Sequence, residues 1–416
     1  MLMIFFRNCL RMVCLKNRLI IKPFVGVCFM ENNSRDENIV DFVQKLKSRG
    51  ISEKEYSKQI SRFLEFKARE RGIPINGCFE LTPLCNLDCK MCYVHLDNCS
   101  FSASELLSAN EWMSLIRQAY KAGMRSAMLT GGECLTYPAF DELYLVLHEL
   151  GVSTDVLSNG VLIDNKWIDF FLKYRPQCIK ISLYGSCDDV YEKVTGHRVF
   201  NKVYHNLLMI RDAGLPVFIS ITPSRYMQDD MKQLIETVES LNIRYEINAR
   251  LFPARANTGR TVEDLSLDQY VELYRLRLKY HQQNPTPNDL SELPDVKREG
   301  VGKRGLRCGA GRSSFSIKYD GTMCTCIALD EFSVSAVELG FQGAWKQINE
   351  YAKTYPVSCE CDGCAYLPVC LHCQAMHKNA PQSGHCDPRI CERTVRLAQE
   401  GFFTYFGSAP SDSKGK

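Results

Sequence analysis

The positions of the cysteines constrain this chain more than any other feature of its sequence. There are 21 cysteines in 416 residues; three fall between Cys85 and Cys92, ten lie between Cys308 and Cys391, and none occurs in 188–307. Disulfides that staple a secreted fold are spread along the chain, whereas thiolates that bind metal are grouped. The grouping therefore predicts a reducing compartment, which we take to be the cytoplasm, and two metal-binding regions.

Composition and charge exclude several classes of protein. With 45% hydrophobic and 24% charged residues, the chain is neither disordered nor collagen-like, and it is too long for a small disulfide scaffold. A net charge of only +3 gives no electrostatic reason to expect a nucleic-acid partner. No apolar run approaches the roughly 18 residues of a membrane helix, so we expect no membrane partner.

The first 29 residues resemble an export signal only loosely. Basic residues such as Arg11 and Lys16 interrupt the apolar residues throughout, whereas a signal peptide places them before one unbroken apolar stretch. Two interpretations stay open. Either Met30 is the true start and 1–29 is not translated, or this segment is an amphipathic helix on a membrane surface.

The middle of the chain alternates short β-rich runs with longer helical ones. Six such β-then-α units predict an α/β protein with a parallel sheet or open barrel, whose chemistry lies beyond the carboxyl ends of the strands. The predicted strands are Cys78–Leu81, Ala127–Thr130, Thr154–Ser158, Ile179–Leu183, Val217–Thr222 and Tyr245–Leu251. The predicted helices are 108–122, 140–150, 165–174, 201–213, 229–241 and 267–283.

These patterns divide the chain into five parts. An N-terminal extension with two surface helices in 38–70 occupies 1–76, and the β/α core occupies 77–284. A proline-rich and charged linker follows at 285–305, and a tail at 396–416 ends the chain. Between them, 306–395 has many cysteines and little periodicity, so we expect metal ligands to organise it more than a hydrophobic core does.

The first cysteine group has the spacing C-x3-C-x2-C and directly follows the first predicted strand. Cys85, Cys89 and Cys92 could hold three corners of a cube-shaped iron–sulfur cluster. The fourth iron would then be free to bind a small molecule. The alternative is a zinc knuckle that takes a fourth ligand from elsewhere, such as His95.

With this spacing in this place, the chain resembles the radical S-adenosylmethionine (SAM) enzymes. The resemblance implies a partial (β/α)6 TIM-like barrel. It also implies that Cys85, Cys89 and Cys92 bind a [4Fe–4S] cluster whose open iron chelates SAM. In that family the reduced cluster cleaves SAM to methionine and a 5′-deoxyadenosyl radical, which takes a hydrogen atom from the substrate.

Polar residues at the ends of the next strands match other parts of that family's SAM site. Gly131-Gly132-Glu133 would by itself be an ordinary turn, although a glycine pair also allows a ligand to approach the backbone closely. The resemblance implies that it binds the SAM amino group. SAM contacts are also implied for Ser158, Asn159 and Ser182, while Tyr184 stands where relatives often carry Asp.

The second cysteine group matches the SPASM extension of radical SAM enzymes. Cys308 is followed after twelve residues by Gly321-x4-Cys326, and then by a C-x2-C-x5-C-x2-C run that starts at Cys361. C-x2-C pairs also occur in structural zinc sites. The match to SPASM departs only in the last short spacing, which is x3 in that family.

The SPASM resemblance implies a C-terminal Cys-rich iron–sulfur domain with two auxiliary [4Fe–4S] clusters. Its pattern assigns the distal cluster to Cys361, Cys364, Cys370 and Cys391, and the nearer one to Cys308, Cys326 and Cys373. The nearer set lacks one ligand. Either Cys324, Cys359 or Cys386 supplies it, or an open iron binds the substrate there; Cys386 also competes with Cys391 for the distal cluster.

The combined resemblance implies a radical SAM oxidoreductase that modifies a peptide or protein, for example by crosslinking. A flavodoxin or ferredoxin would supply electrons, and a separate protein could bind a leader peptide. Two alternatives stay open. One is a sulfatase-maturase-like oxidation, although Ile327 stands where those enzymes carry an Asp. The other is a non-catalytic iron–sulfur or zinc-binding module.

Overall fold

The computed structural model describes most of the chain between residues 53 and 402. The described ranges are 53–94, 105–249, 251–252, 264–280, 305–356, 373–379 and 387–402, with short pieces at 14–15, 18–19, 42–44, 48, 364, 366 and 370. The statements below concern these residues. Part of the predicted 38–70 region, most of the predicted linker and most of the tail lie outside them.

Eleven strands are found, and nine of them form one sheet. A separate small hairpin pairs β1 (Cys14–Leu15) with β2 (Arg18–Leu19). The strands of the large sheet are β3 (Asn76–Glu80), β4 (Ser126–Thr130), β5 (Ser153–Ser158), β6 (Cys178–Leu183), β7 (Val217–Ile221), β8 (Tyr245–Ile247), β9 (Ser314–Ile317), β10 (Thr322–Cys326) and β11 (Leu329–Ser335).

Ten helices accompany the strands in the described ranges. They are α1 (Glu53–Arg71), α2 (Ala109–Ala122), α3 (Phe140–Glu149), α4 (Asn165–Lys173), α5 (Asp188–Thr195), α6 (Phe200–Asp212), α7 (Met231–Ser240), α8 (Leu267–Tyr280), α9 (Ala336–Thr354) and α10 (Pro388–Gln399). None of the described helices is both long and apolar enough to cross a lipid bilayer.

Strands β3 to β8 are parallel and lie side by side in chain order. Helices connect each strand to the next, as right-handed β/α crossovers require. The outer strands of the sheet, β8 and β11, do not pair with each other, so the barrel is open. The α/β fold class and the partial (β/α)6 barrel expected from the sequence are therefore confirmed.

Local sequence signals determine where several helices begin. Ser108 caps α2 by accepting the backbone N–H of Glu111, whose carboxylate accepts the N–H of Ser108 in return. This reciprocal capping box satisfies two donors that the first helical turn leaves open. The Asp164 carboxylate likewise accepts the N–H of Trp167 at the start of α4.

The two faces of the parallel sheet differ in chemistry. Val156, Ile179 and Ile181 belong to the main hydrophobic core with the helices. Asp155 and Lys180 alternate with them and therefore face the inside of the barrel, where they form a buried ion pair of 2.8 Å. The inside of the barrel thus carries charge near the middle of these strands.

The C-terminal cysteine region contributes strands to the same sheet. β9 pairs with β3 in parallel, Asn76 opposite Ser314, and β10 and β11 continue the sheet as an antiparallel hairpin. Phe315, Phe341 and Trp345 belong to the main hydrophobic core. The expectation that metal ligands organise 306–395 more than a core does is therefore wrong for its first half.

The predicted boundaries need two further corrections. The strand expected at Tyr245–Leu251 stops at Ile247, because its partner β7 stops at Ile221, two residues before Pro223. Helix α5 was not predicted; with eight residues it is too short to present a clear helical repeat.

Candidate active site and cysteine centres

The loop that carries Cys85 follows β3 at the edge of the sheet where the parallel strands end. Its first half is hydrogen-bonded to the turn after β4. The N–H of Gly132 donates to the carbonyl oxygen of Thr82 at 2.7 Å, and the N–H of Glu133 donates to that of Leu84 at 2.8 Å. The two predicted motifs therefore lie against each other, backbone to backbone.

The glycine pair is required by this contact. A Cβ atom at Gly131 would lie 2.5 Å from the carbonyl oxygen of Thr82, and one at Gly132 would lie 2.3 Å from that of Leu84. The sequence interpretation connected the glycines with close approach of a ligand. In the structure the cysteine loop itself occupies the space that a side chain would need.

The second half of the loop is held from the other side by the end of α5. The N–H groups of Asp88 and Lys90 donate to the carbonyl oxygens of Thr195 and Val194, both at 2.9 Å. The Lys90 ammonium also lies 4.5 Å from the centre of the Tyr226 ring, a cation–π distance. The short helix that the sequence did not predict thus fixes the cysteine loop.

Glu133 is completely buried beneath the loop. Its Oε2 accepts the N–H of Asn159 at 2.7 Å, and its Oε1 accepts the N–H of Leu135 at 3.2 Å. Burial raises the pKa of Glu133, although these N–H groups and the Ser158 hydroxyl act in the opposite direction. A group that binds the charged form more strongly, such as an ammonium, would stabilise the carboxylate here.

Asn159 connects Glu133 with the cysteine loop. Its Nδ2 donates to Oδ1 of Asn86 at 2.7 Å and lies 3.6 Å from Sγ of Cys85. The Ser158 hydroxyl accepts the N–H of Gly160 at 3.0 Å and so shapes the turn that presents Asn159. Glu133, Ser158 and Asn159, which the sequence placed on separate strand ends, therefore meet beside Cys85.

The three loop thiols all interact electrostatically with one tyrosine. Burial raises the pKa of Tyr184, a hydrogen bond with Ser182 lowers it, and charge on Cys89, Cys92 and Cys85 raises it further. Burial also raises the pKa of Cys85 to about 11, to which Glu133 and Cys92 contribute. Ser182 and Tyr184 thus belong to the same site as the cysteines.

The three loop thiols can hold an iron–sulfur cluster. Among the described residues, no three His, Cys, Asp or Glu side chains are close enough to bind one ion together. In a four-iron cluster each cysteine binds its own iron, so the thiols need not converge on one point. Hydrogen bonds to ligand sulfurs, as from Asn159 to Cys85, are typical of such sites.

The structure also groups the cysteines expected at the nearer auxiliary cluster. Burial raises the pKa of Cys326, and charge on Cys308, Cys324 and Cys373 raises it further. The Gln374 side chain joins the two segments involved, since it accepts the N–H of Arg307 at 2.8 Å and donates to the carbonyl oxygen of Gly305 at 3.3 Å. Cys324 is thus the described candidate for the missing ligand.

The distal set is described only in part. The Thr394 hydroxyl lies 3.6 Å from Sγ of Cys370, and Cys370 also packs against Ile390. Thr394 and Ile390 belong to α10, the helix that carries Cys391. Cys370 therefore packs against the helix on which Cys391 lies. Cys364 is exposed. The remaining candidates, Cys361, Cys359, Cys386 and His95, lie outside the described residues.

The loop site and the nearer auxiliary site lie at opposite edges of the sheet. Cys85 follows the edge where the parallel strands end, whereas the antiparallel β10 brings Cys326 to the edge where they begin. β3 has five residues, which corresponds to about 15 Å of extended backbone. Phe252 lies between the sites, since it packs against Tyr93 and against the apolar group around Cys326 and Cys373.

Sequence reasoning missed Asn86 and Gln374. Each joins segments that are far apart in the chain, and an isolated Asn or Gln has no spacing pattern that would single it out. Their neighbours Cys85 and Cys373 were the available signals.

Comparisons with known proteins agree with this geometry. Residues 79–238 match the family model described as the radical SAM superfamily. The sporulation killing factor maturation protein SkfB of Bacillus subtilis is 22% identical over 294 residues, 70% of this chain and 68% of SkfB. The PqqA peptide cyclase of Ruegeria pomeroyi is 24% identical over 347 residues, 77% of this chain and 88% of the cyclase.

A solved structure has a similar fold over most of the chain. SuiB of Streptococcus suis bound to S-adenosylmethionine superimposes with a TM-score of 0.62 at 18% identity, covering 85% of this chain and 86% of SuiB. SuiB has also been solved bound to its precursor peptide SuiA. Residues 79–238 therefore form a radical SAM domain.

Proposed function

We propose that this enzyme cleaves SAM at a [4Fe–4S] cluster held by Cys85, Cys89 and Cys92, and that the resulting radical oxidatively modifies a peptide. The observation that carries the proposal is the connection of Glu133 through Asn159 to Cys85. The buried carboxylate of Glu133 and the thiol of Cys85 thus lie on either side of Asn159. SAM would need this arrangement in order to contact both the cluster and the carboxylate.

The residues of the site would divide the work of binding SAM. The three thiolates would hold a [4Fe–4S] cluster with one iron open to SAM. Glu133 would accept a hydrogen bond from the SAM amino group, and Ser158 and Asn159 would shape the adjoining wall. The reduced cluster would supply the electron that splits SAM into methionine and a 5′-deoxyadenosyl radical. Tyr184, which interacts electrostatically with all three thiols, would line the same site.

A peptide substrate is supported by the relatives and by the inside of the barrel. SkfB is named as a maturation protein, PqqA cyclase as a peptide cyclase, and SuiB binds a precursor peptide. The buried pair of Asp155 and Lys180 on the inner face of the sheet gives the barrel polar partners for a peptide backbone. We therefore expect a crosslink or a similar oxidation of a ribosomally made peptide.

The remaining partners of the reaction follow from the cysteine groups. We propose two auxiliary [4Fe–4S] clusters, supported by the grouping of Cys308, Cys326 and Cys373 and by the position of Cys370 against α10. A flavodoxin or ferredoxin would reduce the loop cluster in the cytoplasm. A separate protein could bind the leader part of the substrate.

Anaerobic reconstitution tests this proposal. The protein, given iron, sulfide, SAM and dithionite, is expected to release 5′-deoxyadenosine, which liquid chromatography with mass spectrometry detects. Replacing Cys85, Cys89 and Cys92 with Ala should stop this release. Cys187→Ala is the matched control, because Cys187 is exposed at the start of α5 and belongs to neither group.

The triple variant and the substrate decide the outcome. If the triple variant still releases 5′-deoxyadenosine, the assignment of the loop is wrong. The substrate class is tested with short peptides encoded next to this gene. A modified peptide should lose the mass of two hydrogens, and an unchanged mass with every neighbouring peptide would contradict peptide oxidation.

A further inference from the structure

Arginines flank Cys308 in the chain and also lie on the neighbouring helix α1. Arg62 and Arg69 lie two turns apart on α1, while Arg307 and Arg312 lie on either side of the cysteine. In the described part of the chain, none of the four forms an ion pair with a carboxylate. Arg69 is tied to the segment through a 3.0 Å hydrogen bond from Nη1 to the carbonyl oxygen of Arg307.

Several guanidinium nitrogens of these arginines are buried and have no hydrogen-bond acceptor among the described residues. They are Nε of Arg62, Nε and Nη2 of Arg307, and Nε of Arg312. A buried N–H without an acceptor is destabilising, and more so when the group is charged. The nitrogens of Arg307 and Arg312 lie on either side of Cys308 in the chain, so an anionic group bound at this cysteine would give them partners.

The charges of the arginine group act on Cys308. Arg69 and Cys373 both interact electrostatically with this thiol. For Arg312, burial lowers the pKa, the neighbouring Arg69 lowers it further, and Glu70 and Cys308 act in the opposite direction. Arg69 and Arg312 therefore both interact electrostatically with the same cysteine.

Nearby carboxylates do not neutralise the group. Glu70 forms its ion pair with Lys67 at 3.1 Å on the exposed side of α1. Glu65 is influenced by Arg69, but its pKa is raised because burial disfavours its charged form. Among the described residues, no carboxylate therefore forms an ion pair with Arg69, Arg307 or Arg312.

We propose that Arg69 and Arg312 supply the counter-charge of the nearer auxiliary cluster, bound by Cys308, Cys326 and Cys373, and raise its reduction potential. This inference rests on the proposed function, which places a cluster there. Reduction adds negative charge, so fixed positive charge beside the ligands stabilises the reduced form. Arginine suits this role because it stays charged when buried.

The position of the site agrees with an electron-accepting role. The nearer auxiliary site is about one strand length, some 15 Å, from the SAM-binding loop. It lies at the opposite edge of the sheet. A raised potential would let the cluster take up an electron over that distance without binding the substrate itself. The arginines are thus positioning residues that act through the cluster and do not touch the substrate.

An EPR-monitored redox titration tests the proposal on the full-length reconstituted protein. Cys85, Cys89 and Cys92 are replaced with Ala so that only the auxiliary clusters contribute, and Cys308→Ala identifies the signal of the nearer one. In this background we compare Arg69→Gln, Arg312→Gln and the double variant. Arg211→Gln is the control, because Arg211 pairs with Asp212 on α6.

We expect the midpoint potential of the nearer cluster to become more negative in both variants and most negative in the double variant. The distal cluster and the Arg211→Gln protein should be unchanged, and Arg312→Lys should stay near the parent value. The inference is overturned if the cluster assembles and its potential does not move, or if both clusters shift equally. A midpoint potential that falls equally in Arg312→Lys and Arg312→Gln would also overturn the inference.

Iron content separates this inference from the proposed function. If the parent protein holds no auxiliary iron at all, the auxiliary part of the proposed function fails and the inference fails with it. If only the Gln variants lose the nearer cluster, the iron content of the Arg312→Lys variant decides between the explanations. A cluster that assembles in this variant supports the counter-charge role, and a cluster that is lost from it contradicts that role. If the arginines instead bind a carboxylate of the peptide substrate, the Gln variants should keep the midpoint potential of the parent protein and bind the substrate more weakly. That result would also overturn the inference.

Discussion

The backbone N–H of Asn159 donates a 2.7 Å hydrogen bond to Oε2 of Glu133. This bond joins the turn after β4 to the end of β5, and the Asn159 side chain continues the connection to Cys85. The carboxylate proposed to bind SAM and the first proposed cluster ligand are therefore held in fixed relation by a single residue. A change at Asn159 should affect both.

Replacing Asn159 with Ala should slow SAM cleavage while the loop cluster still assembles. The variant keeps the backbone bond to Glu133 but loses the Nδ2 bonds to Asn86 and Cys85. One hydrogen bond of about 1–1.5 kcal/mol corresponds to roughly a tenfold change in rate. The release of 5′-deoxyadenosine is measured beside Asn201→Ala, an exposed control. Equal rates in both variants would contradict the role of Asn159.

Replacing Gly132 with Ala should destabilise the contact between the two loops. The new methyl group would meet the carbonyl oxygen of Leu84 at 2.3 Å, and overpacking of this kind costs about 1–3 kcal/mol. We expect lower stability in denaturant and loss of iron from the loop site. Gly151→Ala is the matched control, since its Cβ would meet nothing within 4 Å.

The Gly151→Ala control also lowers the stability of the protein, but for a different reason. Gly151 has a φ of 68°, so Ala there costs about 1–2 kcal/mol of backbone strain without touching the loop. It should therefore lower stability but keep the loop iron. Retention of the iron in Gly132→Ala would show that the close contact is unnecessary.

Replacing Glu133 with Gln should change how stability depends on pH in the absence of SAM. Burial raises the pKa of Glu133 in the folded protein, so folding favours the protonated form. That stabilisation is complete below the ordinary pKa of a glutamate and is lost as the pH rises through the raised value. Gln does not titrate, so the variant should gain stability relative to the native protein as the pH rises.

The same variant should bind SAM more weakly, because it lacks the charge that attracts an ammonium. Urea denaturation across the pH range gives the first effect, and SAM binding to the reconstituted protein gives the second. A parallel pH dependence in both proteins would mean that Glu133 is not perturbed by burial. Equal SAM affinity would remove it from the proposed binding site.

Much of the barrel could be predicted because its signals are local. Each predicted core strand from Ala127–Thr130 to Val217–Thr222 overlaps an observed one, since hydrophobic spacing and turn residues act over a few positions. The pairing of β9 with β3 could not be predicted in this way. These strands are more than 200 residues apart in the chain, and their alternation does not specify a partner.

In the candidate site, too, the local motifs could be predicted and the long-range contacts could not. The C-x3-C-x2-C spacing and the Gly-Gly-Glu turn are contiguous, so both could be found in the sequence. The contacts between them depend on how the strand ends meet. The bond from Asn159 to Asn86 spans 73 positions, and Arg69 reaches Arg307 across 238. No periodicity connects residues at such separations.

Replacing Gln374 with Ala should remove the nearer auxiliary cluster and spare the loop cluster. The Gln374 side chain joins Arg307 and Gly305 to the segment after Cys373, and without it Cys308 and Cys373 are no longer held together. Iron analysis should show a loss of about four irons per chain, while SAM cleavage continues in the absence of substrate. Gln228→Ala is the control, because Gln228 lies on the surface near α8.

The central claim is that three loop thiols bind a cluster whose open iron accepts SAM. The most direct measurement is anaerobic EPR of the reduced protein, with Cys308, Cys326, Cys370 and Cys391 replaced by Ala so that the loop site dominates. We predict a four-iron spectrum that changes when SAM is added. A spectrum indifferent to SAM, or zinc in place of iron at the loop, would contradict the claim.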